Sequence, residues 1–272
     1  MKSSWFIPLV LILGTAYCLA QLKQNAPASP PGASQPTTQA AGAQGEGMAA
    51  LQKAAADNKH LFIVFSEKDN EETRTLRKTV DAAAGKLADK VQVVAVNRNA
   101  AAEKPVVEKF GVQMAPMPLV LAVAPNGAIT GGFLSAGLTQ QRLEEAIATP
   151  AAQKALKSVQ DRRFVFLSIQ GKATKNNDAA TKGVSDFKAD PKYAQLTDVY
   201  TLDPSAPEEA AFLKQLQVDH KTQDAVTVLM APPGMVVAKI AGATTKEAFL
   251  TALQKASSGG CGPGGCGPGG CK

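Results

Sequence analysis

The feature that most constrains this chain is an order of segments that runs twice. Short apolar runs of strand type alternate with stretches of helical period, and each half closes with two such runs joined by a tight turn. In the first half LFIVFS (61–66) and VQVVAVN (91–97) read as strands. Between them Leu76, Val80, Ala84 and Leu87 recur at three or four residues, which predicts a helix with one apolar stripe toward a sheet while Arg74, Arg77 and Lys78 stay in water. KPVVEKF predicts a short helix with Pro105 in its first turn and Gly111 at its stop. A strand PLVLAVA (118–124), the turn Pro125–Asn126–Gly127, a strand AITGGFLSA and a helix TQQRLEEAIA complete the order βαβαββα.

The second half repeats it with FVFLSIQ, a helix through Phe187, DVYTLD, the helix EEAAFLKQLQV, AVTVLMA, a Pro-Pro-Gly turn, MVVAKIAG and the helix TKEAFLTALQKA. Phe62 with Phe164, Asn126 with Pro233 and Leu143 with Phe249 each lie a little over a hundred residues apart, which points to an internal duplication. A βαβ crossover joins parallel strands, whereas a tight turn joins antiparallel ones. Each half is therefore expected to hold a mixed central sheet with helices on both faces, in an α/β chain of two domains, 47–149 and 150–256. A chain of 272 residues that is 45% hydrophobic has the apolar material for two cores of that size.

The flanks read differently. Lys2, the apolar stretch Trp5–Leu13 and the small residues of GTAYCLAQ have the layout of a signal peptide over residues 1–20, so the chain is expected to be exported, periplasmic or extracellular. Membrane attachment requires either that this segment be retained, though its apolar run is shorter than the roughly 20 residues that span a bilayer, or that Cys18 be lipidated despite the bulky Tyr17 before it. Residues 21–46 are rich in Ala, Pro, Gln, Ser, Thr and Gly without apolar period, which predicts a disordered linker. Residues 257–272 form a second flexible tail rich in Gly, Pro and Cys. The formal charge of +6 is spread among acids without long runs, and aromatics are 5% of the chain, so nucleic acid is not an expected partner.

The stretch FGVQMAPMPLVLAVAPNGAI resembles the thioredoxin superfamily segment in which a short helix ends at Gly-Val, a cis-proline opens a strand and a Pro-(Asp/Asn)-Gly turn follows. Spacing to Pro125, Asn126 and Gly127 selects Pro118, after Met117, with Pro116 as the competing assignment. The resemblance implies tandem thioredoxin-like domains, and for Met117 and Pro118 a part in binding extended peptide backbone; a rigid turn is the plainer role. Where that family carries CxxC, this chain has SEKDNEET (66–73), without cysteine. A helix N-terminus lowers a thiol pKa by its dipole and free amides; carboxylates there run no thiol exchange. Ser66 followed by Asp69 reads instead as a capping box, with Glu71 and Glu72 in the first turn; cation binding by Asp69, Glu71 and Glu72 is the minor reading. In the second half Ala225 stands in the proline position and IQGKATKNND replaces the redox loop.

Other chemistry is sparse. His60 and His220, the only histidines, read as solvated edge residues, and Gly131 and Gly132 as a bulge or close packing within a strand. Cys261, Cys266 and Cys271 recur every five residues with Gly-Pro-Gly-Gly between them, and turns at Pro-Gly can bring the three sulfurs together. Three thiolates suit copper(I), and zinc with a fourth ligand. The same cysteines can instead form disulfides, including one to another chain, or exchange thiols. The expected function is a non-catalytic scaffold binding a protein or peptide partner in the cell envelope, its thiol tail holding a soft metal ion or a disulfide-linked partner. The alternative is a thiol-disulfide oxidoreductase working through the tail.

Overall fold

The structure, a computed structural model, describes residues 45–258. The expected signal segment, nearly all of the linker and Cys18, Cys261, Cys266 and Cys271 lie outside the described residues. The first half contains α1 (Glu46–Ala56), β1 (His60–Ser66), α2 (Glu71–Lys86), β2 (Val91–Asn97), α3 (Lys104–Phe110), β3 (Leu119–Val123), β4 (Ile129–Leu134) and α4 (Gln140–Glu145). The second contains α5 (Pro150–Gln160), β5 (Phe164–Ile169), α6 (Asn177–Ala189), β6 (Thr197–Leu202), α7 (Ala210–Gln215), β7 (Val226–Ala231), β8 (Met235–Ala241) and α8 (Lys246–Ser258). Helix α1 thus takes Glu46 from the expected linker, and α8 runs through Ser257 to Ser258.

Each half carries a helix ahead of its first strand that the strand pattern did not predict. Helix α5 has an explicit start: Thr149 Oγ1 accepts the Ala152 N–H at 3.3 Å and Pro150 follows at the first helical position. Ala152, Ala155 and Val159 then bury at helical spacing. Both helices also receive a buried carboxylate. Glu103 Oε2 accepts the Gly47 N–H at 3.1 Å in α1, and Glu209 Oε1 accepts the Ala151 N–H at 2.9 Å in α5. The free amides of a helix start make that placement favourable.

The two sheets have the same order, β2-β1-β3-β4 and β6-β5-β7-β8. In each the first pair is parallel and the other two pairs antiparallel. Register refines the duplication: Phe65 opposes Leu119 and Ile169 opposes Val226, so Phe62 corresponds to Phe166 rather than Phe164. A slip of two residues keeps a side chain on the same face, which is why both phenylalanines fit the apolar pattern.

Alternation along the central strands makes two cores per sheet. Leu61, Ile63 and Phe65 face α1 and α3, against Ala54, Val106 and Phe110. Phe62 and Val64 face α2 and α4, against Leu76, Val80 and Leu143. In the second sheet Val165, Leu167 and Ile169 pack with α5 and α7, while Phe166 joins Phe187 and Phe249 of α6 and α8. Helices on both faces of a mixed sheet, in the strand order above, are what the thioredoxin resemblance implies.

His60 departs from the solvated edge position. It has the parity of Phe62 and Val64, so it falls on the buried face; it is 5% exposed, and its Nε2 accepts the Ala148 N–H between α4 and α5 at 3.2 Å. Burial lowers its pKa from 6.5 to about 4, keeping the ring neutral and able to accept. Three side-chain hydrogen bonds tie the halves together. Asn126 Nδ2 donates to the Gln153 carbonyl at 2.8 Å, and the Gln160 amide exchanges two bonds with the Ile129 backbone, at 2.9 and 2.6 Å. Gln160 thereby behaves as a one-residue strand on the β4 edge, at the bulge where Val123 pairs with Ile129 and Ala122 with Gly131.

Candidate functional site

The candidate site lies where β1 ends, α2 begins and the chain enters β3. Ser66 is still in the parallel ladder, opposite Asn97, so it does not cap α2. Asn70 does: its Oδ1 accepts the Thr73 N–H at 2.9 Å, while Thr73 Oγ1 donates to the Lys68 carbonyl at 2.9 Å. The expected Ser66–Asp69 capping box is therefore replaced by a cap at Asn70, four residues after Ser66, with Glu71 and Glu72 in the first turn as the dipole favours. Asp69 lies 3.7 Å from Arg74 and Glu72 accepts from Ser135 Oγ. Among the described residues no group of three or more His, Cys, Asp or Glu side chains is placed to hold a metal ion.

Across from this junction the Met117–Pro118 peptide is cis, which selects Pro118 over Pro116. Pro118 is buried and Pro116 exposed; Met117 is half-buried against the α1/α3 core, and Met114 is 93% exposed. Arg98, just past β2, holds the connection in place. Its Nη1 donates to the carbonyls of Val112 and Ala115, at 3.2 and 2.6 Å, and its Nη2 pairs with Glu67. One guanidinium therefore links the β1–α2 junction to the loop leading into Pro118. Sequence reasoning missed Arg98, because nothing local marks an arginine after a strand as spanning two loops.

The second domain closes the corresponding place. Ala225 precedes Val226 as Pro118 precedes Leu119, and the residue before it is Asp224. Asp224 forms an isolated bridge with Lys175: the Lys175 N–H donates to the Gln223 carbonyl at 2.8 Å, and the Ala225 N–H donates to the Lys175 carbonyl at 2.9 Å. Asn176 Nδ2 adds a bond to Asp224 Oδ1 at 2.9 Å. In the first domain Pro118 has no N–H, and among the described residues the Met117 N–H and Pro116 carbonyl take no partner. A second cis bond, Pro232–Pro233, lies in the β7–β8 turn.

The remaining residues singled out in the sequence do not converge on this site. His220 is exposed, its Nδ1 3.4 Å from Asp219 Oδ1. Gly131 is held by packing, since a Cβ there would lie 2.6 Å from the Phe133 ring. No described helix is long and apolar enough to cross a membrane.

No protein-family model matches the sequence, and no curated protein matches it. Among solved structures it is similar to thioredoxin O2 from Arabidopsis thaliana, at 18% identity over 36% of this chain and 79% of that one, with a TM-score of 0.29. It is similar to the first two thioredoxin domains of Saccharomyces cerevisiae Eps1p, at 9% identity over 83% and 99% of the two chains, with a TM-score of 0.32. Human ERp44 is similar at 8% identity over 76% of this chain and 55% of its own, with a TM-score of 0.31. Strand order, register and the cis-proline, rather than these likenesses, establish that the described chain is two thioredoxin-like folds in tandem, with no cysteine in either.

Proposed function

We propose that this protein is a non-catalytic scaffold that binds an extended polypeptide partner at the Met117–Pro118 edge of its first domain. The observation that carries this reading is the free backbone there, beside a helix start capped by Asn70 instead of armed with a thiol. An unpaired N–H and C=O on neighbouring residues offer main-chain pairing to an extended segment, with the exposed Met114 as an adaptable apolar contact. The test is titration of the isotope-labelled full chain with a reduced, carboxymethylated polypeptide. Saturable amide shifts are expected at Met114, Met117 and Ser66–Asn70; shifts centred on Lys175 and Asp224, or none at all, would overturn the reading.

The thiol chemistry of the chain then belongs to Cys261, Cys266 and Cys271, as a soft-metal site for copper(I) or zinc or as links to a partner in the cell envelope after export. Copper(I) and zinc titration of the reduced chain, against a variant ending at Ser258, tests the metal part. Equal stoichiometry in both would remove it. Intact mass of native protein with and without reductant reports removal of residues 1–20 and any sulfur pairing.

A further inference from the structure

The two sheets are interchangeable at most core positions, and they part company at one buried pair. Val64 and Val120 oppose each other across β1 and β3, at 1% and 0% exposure. The corresponding pair in the second sheet is Ser168 and Thr227, at 5% and 0% exposure. The fold is therefore satisfied by two valines on this face. Leaving a buried hydroxyl without a partner costs about 1–3 kcal/mol. Thr227 Oγ1 is buried and has no hydrogen-bond partner among the described residues.

Ser168 opens into a surface groove of about 240 Å³ between α6 and the β5–β6 side of the sheet, floored by Val184 and Val199 and lined also by Gln170, Thr181, Ser185, Lys188 and Thr201. Thr201 stands where the first domain has Ala95, and Gln170 where it has Ser66, by the parallel registers of the two sheets. Beside the two valines the lining supplies four hydroxyls, one amide and one ammonium, and no carboxylate; the Thr181 hydroxyl and the Gln170 amide meet at 3.4 Å. The nearby Asp198 carboxylate is held by the Arg163 guanidinium at 2.6 and 2.7 Å. The volume equals that of about eight waters, below the range of drug-sized sites. Hydroxyls both donate and accept, so a ligand bearing hydroxyls of its own is matched on several sides.

We propose that this groove of the second domain binds a small hydroxylated carboxylate, with the carboxylate on Lys188 and the hydroxyls on Ser168, Thr181 and Thr201. The site is separate from the polypeptide edge of the first domain and does not depend on it.

The isotope-labelled full chain titrated with sodium glycerate, sodium propionate and inorganic phosphate provides the test. Saturable shifts are expected with glycerate at the amides of Ser168, Thr181 and Thr201, with Val64 and Val120 unmoved. Propionate, which lacks hydroxyls, and phosphate are expected to bind at least about tenfold more weakly. Lys188→Gln is expected to weaken glycerate by a similar factor. The double variant Ser168→Val with Thr227→Val recreates the first domain's pair, so it is expected to fold, to unfold at higher denaturant and to lose the glycerate shifts. Absence of saturable shifts up to about 50 mM glycerate overturns the site. Shifts that survive in the double variant do the same, and equal binding of propionate or phosphate overturns the ligand class.

Discussion

The two domains repeat one backbone and differ in what they do with the end of the sheet where the long helix begins. In the first, Arg98 pins the loop into Pro118 while the Met117 N–H stays unpaired. In the second, Lys175 takes the Gln223 carbonyl and the Ala225 N–H for itself. Replacing proline by alanine supplied a donor, and the neighbouring loop used it. The polar character lost at that edge reappears beneath α6, where hydroxyls occupy the sites of Val64 and Val120. Two copies of a fold can thus diverge in where they leave hydrogen-bonding capacity unspent while their strand order stays fixed.

The largest effect expected from breaking this parallel is in the aromatic core of the second domain. Phe187 is fully buried, edge-on to Phe166 at 5.0 Å and to Phe249 at 6.3 Å. Phe187→Ala is expected to cost about 3–5 kcal/mol. Hydrogen exchange resolves whether the halves fold independently: β5 and β7 amides should lose protection while β1 and β3 keep theirs, because the first sheet has its own cores on both faces. Equal loss in both sheets would mean that the bonds between the domains make them one cooperative unit.

Acid should separate the domains next. The His60 pKa is lowered from 6.5 to about 4 in the folded state, so the unfolded chain takes up that proton first. Its contribution is complete above pH 6.5, is lost as pH falls from 6.5 to 4, and changes little below that; the total is on the order of 3 kcal/mol. The second domain has Phe164 at the corresponding strand start. Its shifted carboxyls are Asp198, held below 3.8 by the Arg163 guanidinium, and Asp190 and Asp203, held below it by Lys246 and Ser205, contributions lost only as pH falls below 3.8. Urea unfolding at pH 7 and pH 4.5 should therefore weaken the first domain selectively, and His60→Gln, which retains an acceptor without titrating in this range, should abolish the difference.

The bridge between domains is worth less. Gln160→Ala removes both bonds to Ile129 and is expected to cost about 1–2 kcal/mol, with faster exchange of the Ile129 amide. No change in that exchange rate would show that the β4 edge is protected by something other than the glutamine side chain.

Much of this architecture is legible in the sequence because strands and long helices write their burial into residue spacing. The strands 91–97 and 164–169 and the turns at Asn126 and Pro233 follow from apolar runs and turn chemistry. Pro118 is found from its distance to the Pro-Asn-Gly turn. Helix α1 escapes because its fully buried positions are Gly47 and Ala54, which weaken a hydropathy stripe; α5 is legible in its Thr149–Pro150 start and in the spacing of Ala152, Ala155 and Val159. His60 and Arg98 escape for a different reason. Their partners, Ala148 and the carbonyls of Val112 and Ala115, are brought to them only by tertiary structure, and no local pattern encodes an acceptor far along the chain.

The smallest expected effect tests the duplication itself. Helix α3 ends on Gly111 at φ 64°, and α7 ends on Gln217 at φ 54°, both left-handed. A side chain in that conformation crowds the following carbonyl, whereas glycine does not, and the difference is about 1 kcal/mol. Gln217 is exposed and its side chain makes no hydrogen bond among the described residues, so Gln217→Gly removes strain without removing a hydrogen bond. It is expected to stabilise the second domain by up to about 1 kcal/mol, and Gly111→Ala to destabilise the first by a similar amount. Unfolding midpoints measured on both variants give the answer, and opposite signs at the two sites are the prediction. If Gln217→Gly destabilises, the side chain supports the α7 end or its shallow groove with Val218 and His220, and the helix ends of the two copies are not equivalent.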